Sequence, residues 1–234
     1  MTEAESRLRE GLITLGFSNE SIANQLLRYA ELVLEVNRRT NLVGASSLDE
    51  LIGAHLLDSL APLSGRRIRG RLIDVGSGAG FPGIPIGIAF GPAAVTMLEP
   101  RAKRVDFLDG AIKRLGLKNC EARKSMAETA GRSDLRESAD MVSVRAVAAP
   151  TIALELSVPL LKRHGRALLY VGRQAAPTDH ELGVADMLGA ALLEAKPVEV
   201  PYLQGVRHGW WFEKKKSTPH EYPRRAKVPS QQPL

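Results

Sequence analysis

From Arg71 onward the chain alternates short apolar runs with stretches of helical period, and this alternation limits the folds open to it. Leu72–Val75, Ala94–Leu98, Cys120–Arg123, Met141–Val144, Ala167–Val171 and Val198–Tyr202 read as strands. Val105, Leu108, Ile112 and Leu115 mark one intervening helix and Ile152–Leu161 another. Such alternation predicts a parallel sheet covered on both faces. Gly205 then turns the chain into "VRHGWWFEKK" too soon for a helical crossover, so the last strand must run antiparallel to its neighbour. The expected fold is therefore α/β, a seven-stranded Rossmann-like sheet of the kind built by S-adenosylmethionine-dependent methyltransferases.

Ahead of the sheet the sequence predicts helices. Ile22, Leu26, Tyr29, Val33 and Val36 recur at spacings of three and four, one apolar stripe on a helix that starts near Ser18. "SLDE" at Ser47–Glu50 has the form of a capping box opening a helix through about Leu60. "SGRRIRGR" follows as a polar, basic bridge. The division expected is 1–63 as a helical extension, 64–214 as the cofactor-binding domain and 215–234 as a basic tail.

In open α/β sheets ligands bind beyond the carboxyl ends of the strands, at the switch point. The turn after the first strand, "LIDVGSGAGFPG", is the site by default. Gly76, Gly78 and Gly80 permit a tight turn and close backbone approach. Counted from Gly78 the letters also fit G-x-G-x-x-G, a pattern open to NAD and S-adenosylmethionine alike. Two features favour the methyl donor. Asp74 before the glycines would repel a pyrophosphate but suits a cationic amino-acid end, with a helix N-cap as its plain alternative. Pro82 and Pro85 crowd the start of a phosphate-binding helix. Glu99, ending the second strand, can take both hydroxyls of a ribose.

Some chemistries are excluded. The single cysteine, Cys120, precludes an internal disulfide or a cysteine-built metal site, and five scattered histidines show no metal spacing. No Asn/Asp-Pro-Pro-aromatic string points to an exocyclic base amine, and Cys120 in a strand reads as a buried thiol rather than a nucleophile. What remains is transfer to an atom with a free lone pair, such as a guanine ring nitrogen, where positioning and electrostatics suffice. The charged start "MTEAESRLRE" and the glycines and prolines within the uncharged run Val75–Leu98 speak for a cytoplasmic chain without a membrane span.

The net charge of +6 is uneven, because Arg207–Lys227 carries seven basic residues against Glu213 and Glu221. A basic end on a near-neutral body suits a polyanion. Consecutive Trp210 and Trp211 on a strand face opposite ways, so one is expected in the core and the other is free to be exposed.

"NLVGASS…HLLDSL", "LIDVGSGAGFPGIPI", "KRVDFL", "VSVRA" and the ending "RH…EKKKSTPHEYPRRAKVPSQQPL" together resemble the bacterial ribosomal RNA small subunit methyltransferase G family. The resemblance covers almost the whole chain. It implies methyl transfer from S-adenosylmethionine to ring nitrogen 7 of a guanine in the decoding-region loop of 16S ribosomal RNA; because a short basic tail alone cannot select one base, the RNA is expected to be met within the small subunit. It also implies that Gly76 and Phe81 line the cofactor, that Glu99, Pro100 and Arg101 follow the ribose-binding strand, that Ala127 and Glu128 flank the adenine, and that Arg145 contacts the cofactor. An arginine closing an apolar strand is independently unusual, a salt bridge to Asp140 being the alternative. "YVGRQ" departs from the family's lysine-glycine, which leaves Arg173 as a substitute of different geometry.

His55 and Asp58 share a helix face, suiting either the entrance for the target base or a packing pair. Lys214, Lys215, Lys216, Arg224, Arg225 and Lys227 are expected to meet phosphates, with Tyr222 available for stacking. An NAD-dependent oxidoreductase and a non-catalytic RNA-binding assembly factor are the competing readings.

Overall fold

A computed structural model describes residues 2–234. The amino-terminal part is helical, as the apolar periodicity predicts. Helix α1 (Glu3–Thr14) opens on a full capping box in which Thr2 and Glu5 satisfy each other's backbone N–H. Helix α2 (Glu20–Asn37) is capped by Asn19 and buries Leu26, Tyr29 and Val33 completely, while Ile22 and Val36 are only half-buried. Ser47 caps α3 (Leu48–Leu51), and a wider π-type turn (Ile52–Leu57) leads into α4 (Asp58–Leu60). The Glu50 carboxylate accepts from the Ser46 N–H rather than from Ser47, so this box is closed one residue early.

The sheet has seven strands: β1 (Gly70–Val75), β2 (Ala93–Glu99), β3 (Cys120–Lys124), β4 (Ala139–Arg145), β5 (Leu161–Val171), β6 (Ala190–Val198) and β7 (Arg207–Lys214). Their order is β3-β2-β1-β4-β5-β7-β6, with β7 antiparallel to both β5 and β6 and the rest parallel. The closing antiparallel strand is as the sequence requires. Helices α5 (Gly83–Ala89), α6 (Ala102–Leu115), α7 (Ala127–Ala130), α8 (Pro150–Ser157) and α9 (Asp179–Leu188) fill the connections, and α10 (Val228–Gln231) ends the chain.

Two expectations are corrected. The sixth strand runs over Ala190–Val198, and only its last residue lies within the expected 198–202. It is an edge strand whose outer positions are exposed, so it lacks the apolar run that marks the inner strands. It is preceded by α9, which Thr178 and Glu181 cap reciprocally and Gly189 ends in the left-handed conformation. Trp210 and Trp211 do face opposite ways, but both are buried, because both faces of the sheet are covered. Trp210 packs with α8 and α9 residues, and Trp211 packs with the amino-terminal helices under the Arg66 guanidinium, 4.3 Å from the ring centroid.

The amino-terminal helices share one buried cluster with the sheet: Leu8, Leu26 and Leu57 belong with Leu72, Ile84 and Trp211. Helical extension and sheet therefore stabilise each other through common apolar burial. Among the described residues no helix is long and apolar enough to cross a membrane.

Candidate cofactor and RNA site

The carboxyl ends of β1, β2 and β4 and the segment after β3 surround a cleft of about 350 Å³. Its floor is the glycine turn. Gly76 sits at φ +69° and an added Cβ would lie 2.7 Å from Val147 Cγ2. Only glycine leaves that space open. The Gly76 and Ser77 N–H groups both bond the Leu98 carbonyl, at 2.9 and 3.1 Å, tying the turn to β2.

Glu99 is almost fully buried at the head of β2. Its carboxylate accepts the Gly78 N–H at 3.0 Å and the Arg101 N–H at 2.9 Å. A carboxylate has about four lone-pair sites, so two remain for hydroxyls. Arg104, which the sequence reading did not assign, stands 3.8 Å away and also lines the cleft. Pro100, Arg101, Ala127 and Glu128 line it too, as the family resemblance implies, with Leu98, Met126, Val147 and Ile152 as apolar walls.

Asp74 does not reach the cleft. It is wholly buried, accepting from the Ser143 hydroxyl at 2.8 Å and from the Gly83 N–H at 3.1 Å. It thus joins β1 to β4 and caps α5, the alternative role, and lies apart from the cleft lining. Burial pushes its carboxyl up to about 6, against hydrogen bonds from Ser77, Ser143 and Gly83. Because the folded state then holds the proton more tightly than the unfolded chain, Asp74 stabilises most below pH ~4 and loses that contribution as pH rises through ~6. Relative to Asp74→Asn, wild-type stability in urea is expected to fall over that window by on the order of 2 kcal/mol. A flat difference across it would contradict this placement.

Phe81 also lies apart from the cleft lining. It is buried beneath the turn, with ring centroids 5.1 Å from Tyr29 and 4.9 Å from His55. Tyr29 donates to the Ala79 carbonyl at 2.5 Å, so α2 fixes the turn from below. The sequence marks Tyr29 only as part of an apolar stripe.

Arg145 leaves Asp140 to Lys162 and turns to the amino-terminal helices. It donates to Asp58 Oδ2 at 2.9 Å and to the Ala54 carbonyl at 2.6 Å, while Arg207 approaches Asp58 Oδ1 at 3.3 Å. Asp58 thereby neutralises part of the cationic charge beside the glycine turn. His55 lies next to this pair, and desolvation with the Arg145 charge lowers its imidazole to about 4. His55 is neutral at physiological pH and cannot bind phosphate as a cation. Its NMR titration midpoint is expected near pH 4; a midpoint above pH ~6 would remove it from this environment.

The basic end departs most from expectation. Lys214 is fully buried, donating to the Val158 carbonyl at 2.8 Å and Thr218 Oγ1 at 2.5 Å, 3.3 Å from Glu137. Arg224 forks onto the completely buried Glu155 at 2.9 and 2.6 Å, and its N–H adds a third bond at 2.8 Å. Arg132 and Arg136 donate to the Pro223 and Tyr222 carbonyls, each at 2.7 Å, and Tyr222 is half-buried with its hydroxyl on Met187. These residues clamp the tail to the domain instead of presenting it to a polyanion. Lys215 and Lys216 are exposed but paired with Glu213 and Asp186. Arg173 and Arg225 remain exposed, with no ion pair among the described residues. The clamp carries Lys227 to Glu128, whose carboxylate accepts its N–H at 3.0 Å, and brings Pro229 and Ser230 into the cleft wall. No sequence pattern announces that last contact.

The model of the rRNA small subunit methyltransferase G family matches residues 22–204. The chain belongs to this family. The ribosomal RNA small subunit methyltransferase G of Macrococcus caseolyticus is 34% identical over 90% of this chain and 90% of that one. Its counterpart from Deinococcus radiodurans is 34% identical over 97% and 91%. The fold is that of S-adenosylmethionine-dependent methyltransferases. A SAM dependent methyltransferase from Aquifex aeolicus superposes with a TM-score of 0.52 at 18% identity, covering 70% of this chain and 93% of that one. M. jannaschii TYW2 in complex with AdoMet gives 0.51 at 20% identity, over 63% and 70%.

A member of the methyltransferase G family requires S-adenosylmethionine, and the cleft fits it. The space that a Gly76 side chain would fill, the spare acceptor capacity of Glu99 and the apolar walls near Ala127 match a nucleoside carrying an amino-acid arm. Neither the family nor the fold neighbours support the oxidoreductase or the non-catalytic alternative.

Proposed function

We propose that this chain methylates ring nitrogen 7 of a guanine in the decoding region of 16S ribosomal RNA, acting in the cytoplasm on the small ribosomal subunit. The observation that carries the reading is the cleft floored by Gly76 and Glu99 at the carboxyl ends of β1 and β2 in a chain of this family. S-adenosylmethionine supplies a methyl group on a cationic sulfur when bound. Glu99 would hold the ribose, the Gly76 backbone would admit the amino-acid arm, and Met126 to Glu128 would flank the adenine.

Guanine N7 attacks with its own lone pair, so no residue has to take a proton. The protein's task is to align the two atoms and tolerate the positive charge on the product base. The Asp58–Arg145 pair suits this, because Arg145 stays in place without presenting an uncompensated cation. The neutral His55 adds none.

The test is methyl transfer to native small subunits lacking the modification, compared with naked 16S transcript, followed by mapping of 7-methylguanine. Subunits are expected to be the better acceptor, since a clamped tail cannot select one base unaided. Equal turnover on naked transcript would overturn the subunit assignment, and the absence of 7-methylguanine in the product would overturn the reaction.

A further inference from the structure

A second concavity, of about 400 Å³, opens at the opposite edge of the sheet, where β1 and β4 begin. The bridge before β1 contributes Arg66, Arg67 and Arg69, and β5 contributes His164 and Arg166. The acids near it are already committed. Asp140 accepts the Arg71 N–H at 2.9 Å and pairs with Lys162, Glu213 pairs with Lys215 at 2.7 Å, and Glu194 holds Arg66. Arg67, Arg69 and Arg166 are exposed and, among the described residues, make no ion pair. The Arg66 guanidinium is held below its ordinary value by burial and by the charge of Arg166, so the cations here repel one another. Nothing in the methyl-transfer site uses these residues.

We propose that this basic concavity binds the phosphate backbone of the folded ribosomal RNA substrate, as a docking surface remote from the target base. The inference rests on the reading of the substrate given above. Arg67 and Arg69, with Arg166 opposite Glu213 on β7, surround the hollow with guanidiniums that match phosphate oxygens, which accept the planar fork in pairs. The surface also sets a size requirement. β1 runs from this hollow to the cofactor cleft, and its six residues at about 3.3 Å each span roughly 20 Å. One RNA that engages both ends has to span at least that distance.

The test compares wild type, R67A/R69A/R166A and the charge-preserving R67K/R69K/R166K on unmodified small subunits. For the alanine variant KM for subunits is expected to rise at least ~10-fold with kcat within about twofold and cofactor affinity unchanged. Its slope of log binding constant against log salt becomes shallower by about 2–3, as three lost phosphate contacts require. The lysine variant keeps the slope. An alanine variant with unchanged KM and slope overturns the proposal. A melting temperature raised by millimolar inorganic phosphate in wild type only, with RNA binding unchanged, makes this a small-anion site and overturns it equally. If wild type binds subunits but transfers no methyl group, the functional reading fails while the salt slope still reports on this surface. The three arginines are exposed, and an unchanged thermal melt verifies that each variant folds.

Discussion

Gly76→Asp abolishes cofactor binding while the fold survives. Gly76 occupies φ +69°, and its Cβ would approach Val147 to 2.7 Å inside the cleft. Aspartate tolerates the left-handed region better than most residues, so the backbone strain is about 1 kcal/mol. The larger effect is on the ligand, because the new carboxylate fills the space the glycine keeps open. S-adenosylmethionine affinity by calorimetry is expected to fall at least ~100-fold, equivalent to about 2.7 kcal/mol. The melting temperature should drop by only about 2–4 °C. Near-normal affinity in a folded variant would show that the turn does not floor the cofactor site.

Arg224→Ala unfolds the protein more readily and leaves RNA electrostatics alone. The substitution strands Glu155, which is completely buried, with neither its bidentate partner nor an alternative cation. Breaking a buried pair from one side costs about 3–5 kcal/mol, and the partial exposure of Arg224 argues for the lower end. At about 3 kcal/mol the melting temperature falls by roughly 6–12 °C for a chain of this size. The salt dependence of subunit binding should not change. Were stability preserved and the slope reduced, Arg224 would be a phosphate contact and the clamp a secondary matter.

Features set by local period and turn chemistry were legible in the sequence. The glycine turn, the alternation of strands and helices, Glu99 at a strand end and the closing antiparallel strand all lie where the residues imply. The misreadings concern side chains whose partners are distant in sequence. Lys214 reads as part of a cationic run, yet on β7 it shares a face with Trp210 and Phe212, which point into the core. Asp74 is a different case, since both faces of a central parallel strand are buried and no period separates cleft from core. The bonds of Arg145 to Asp58 and of Arg224 to Glu155 join residues 87 and 69 positions apart. Charge run and composition marked the tail as available to RNA, and only the tertiary clamp reveals that its cations are mostly spent on the domain itself.

The cofactor cleft draws its walls from Gly76, after the first strand, and from Pro229 and Ser230, beyond the last. The pocket is closed on that side only when Lys227 reaches Glu128 and the last helix settles. The cleft is thus completed by a segment remote in sequence from the glycine turn. A protease cut ahead of Lys227 acts on catalysis from a position with no part in the chemistry.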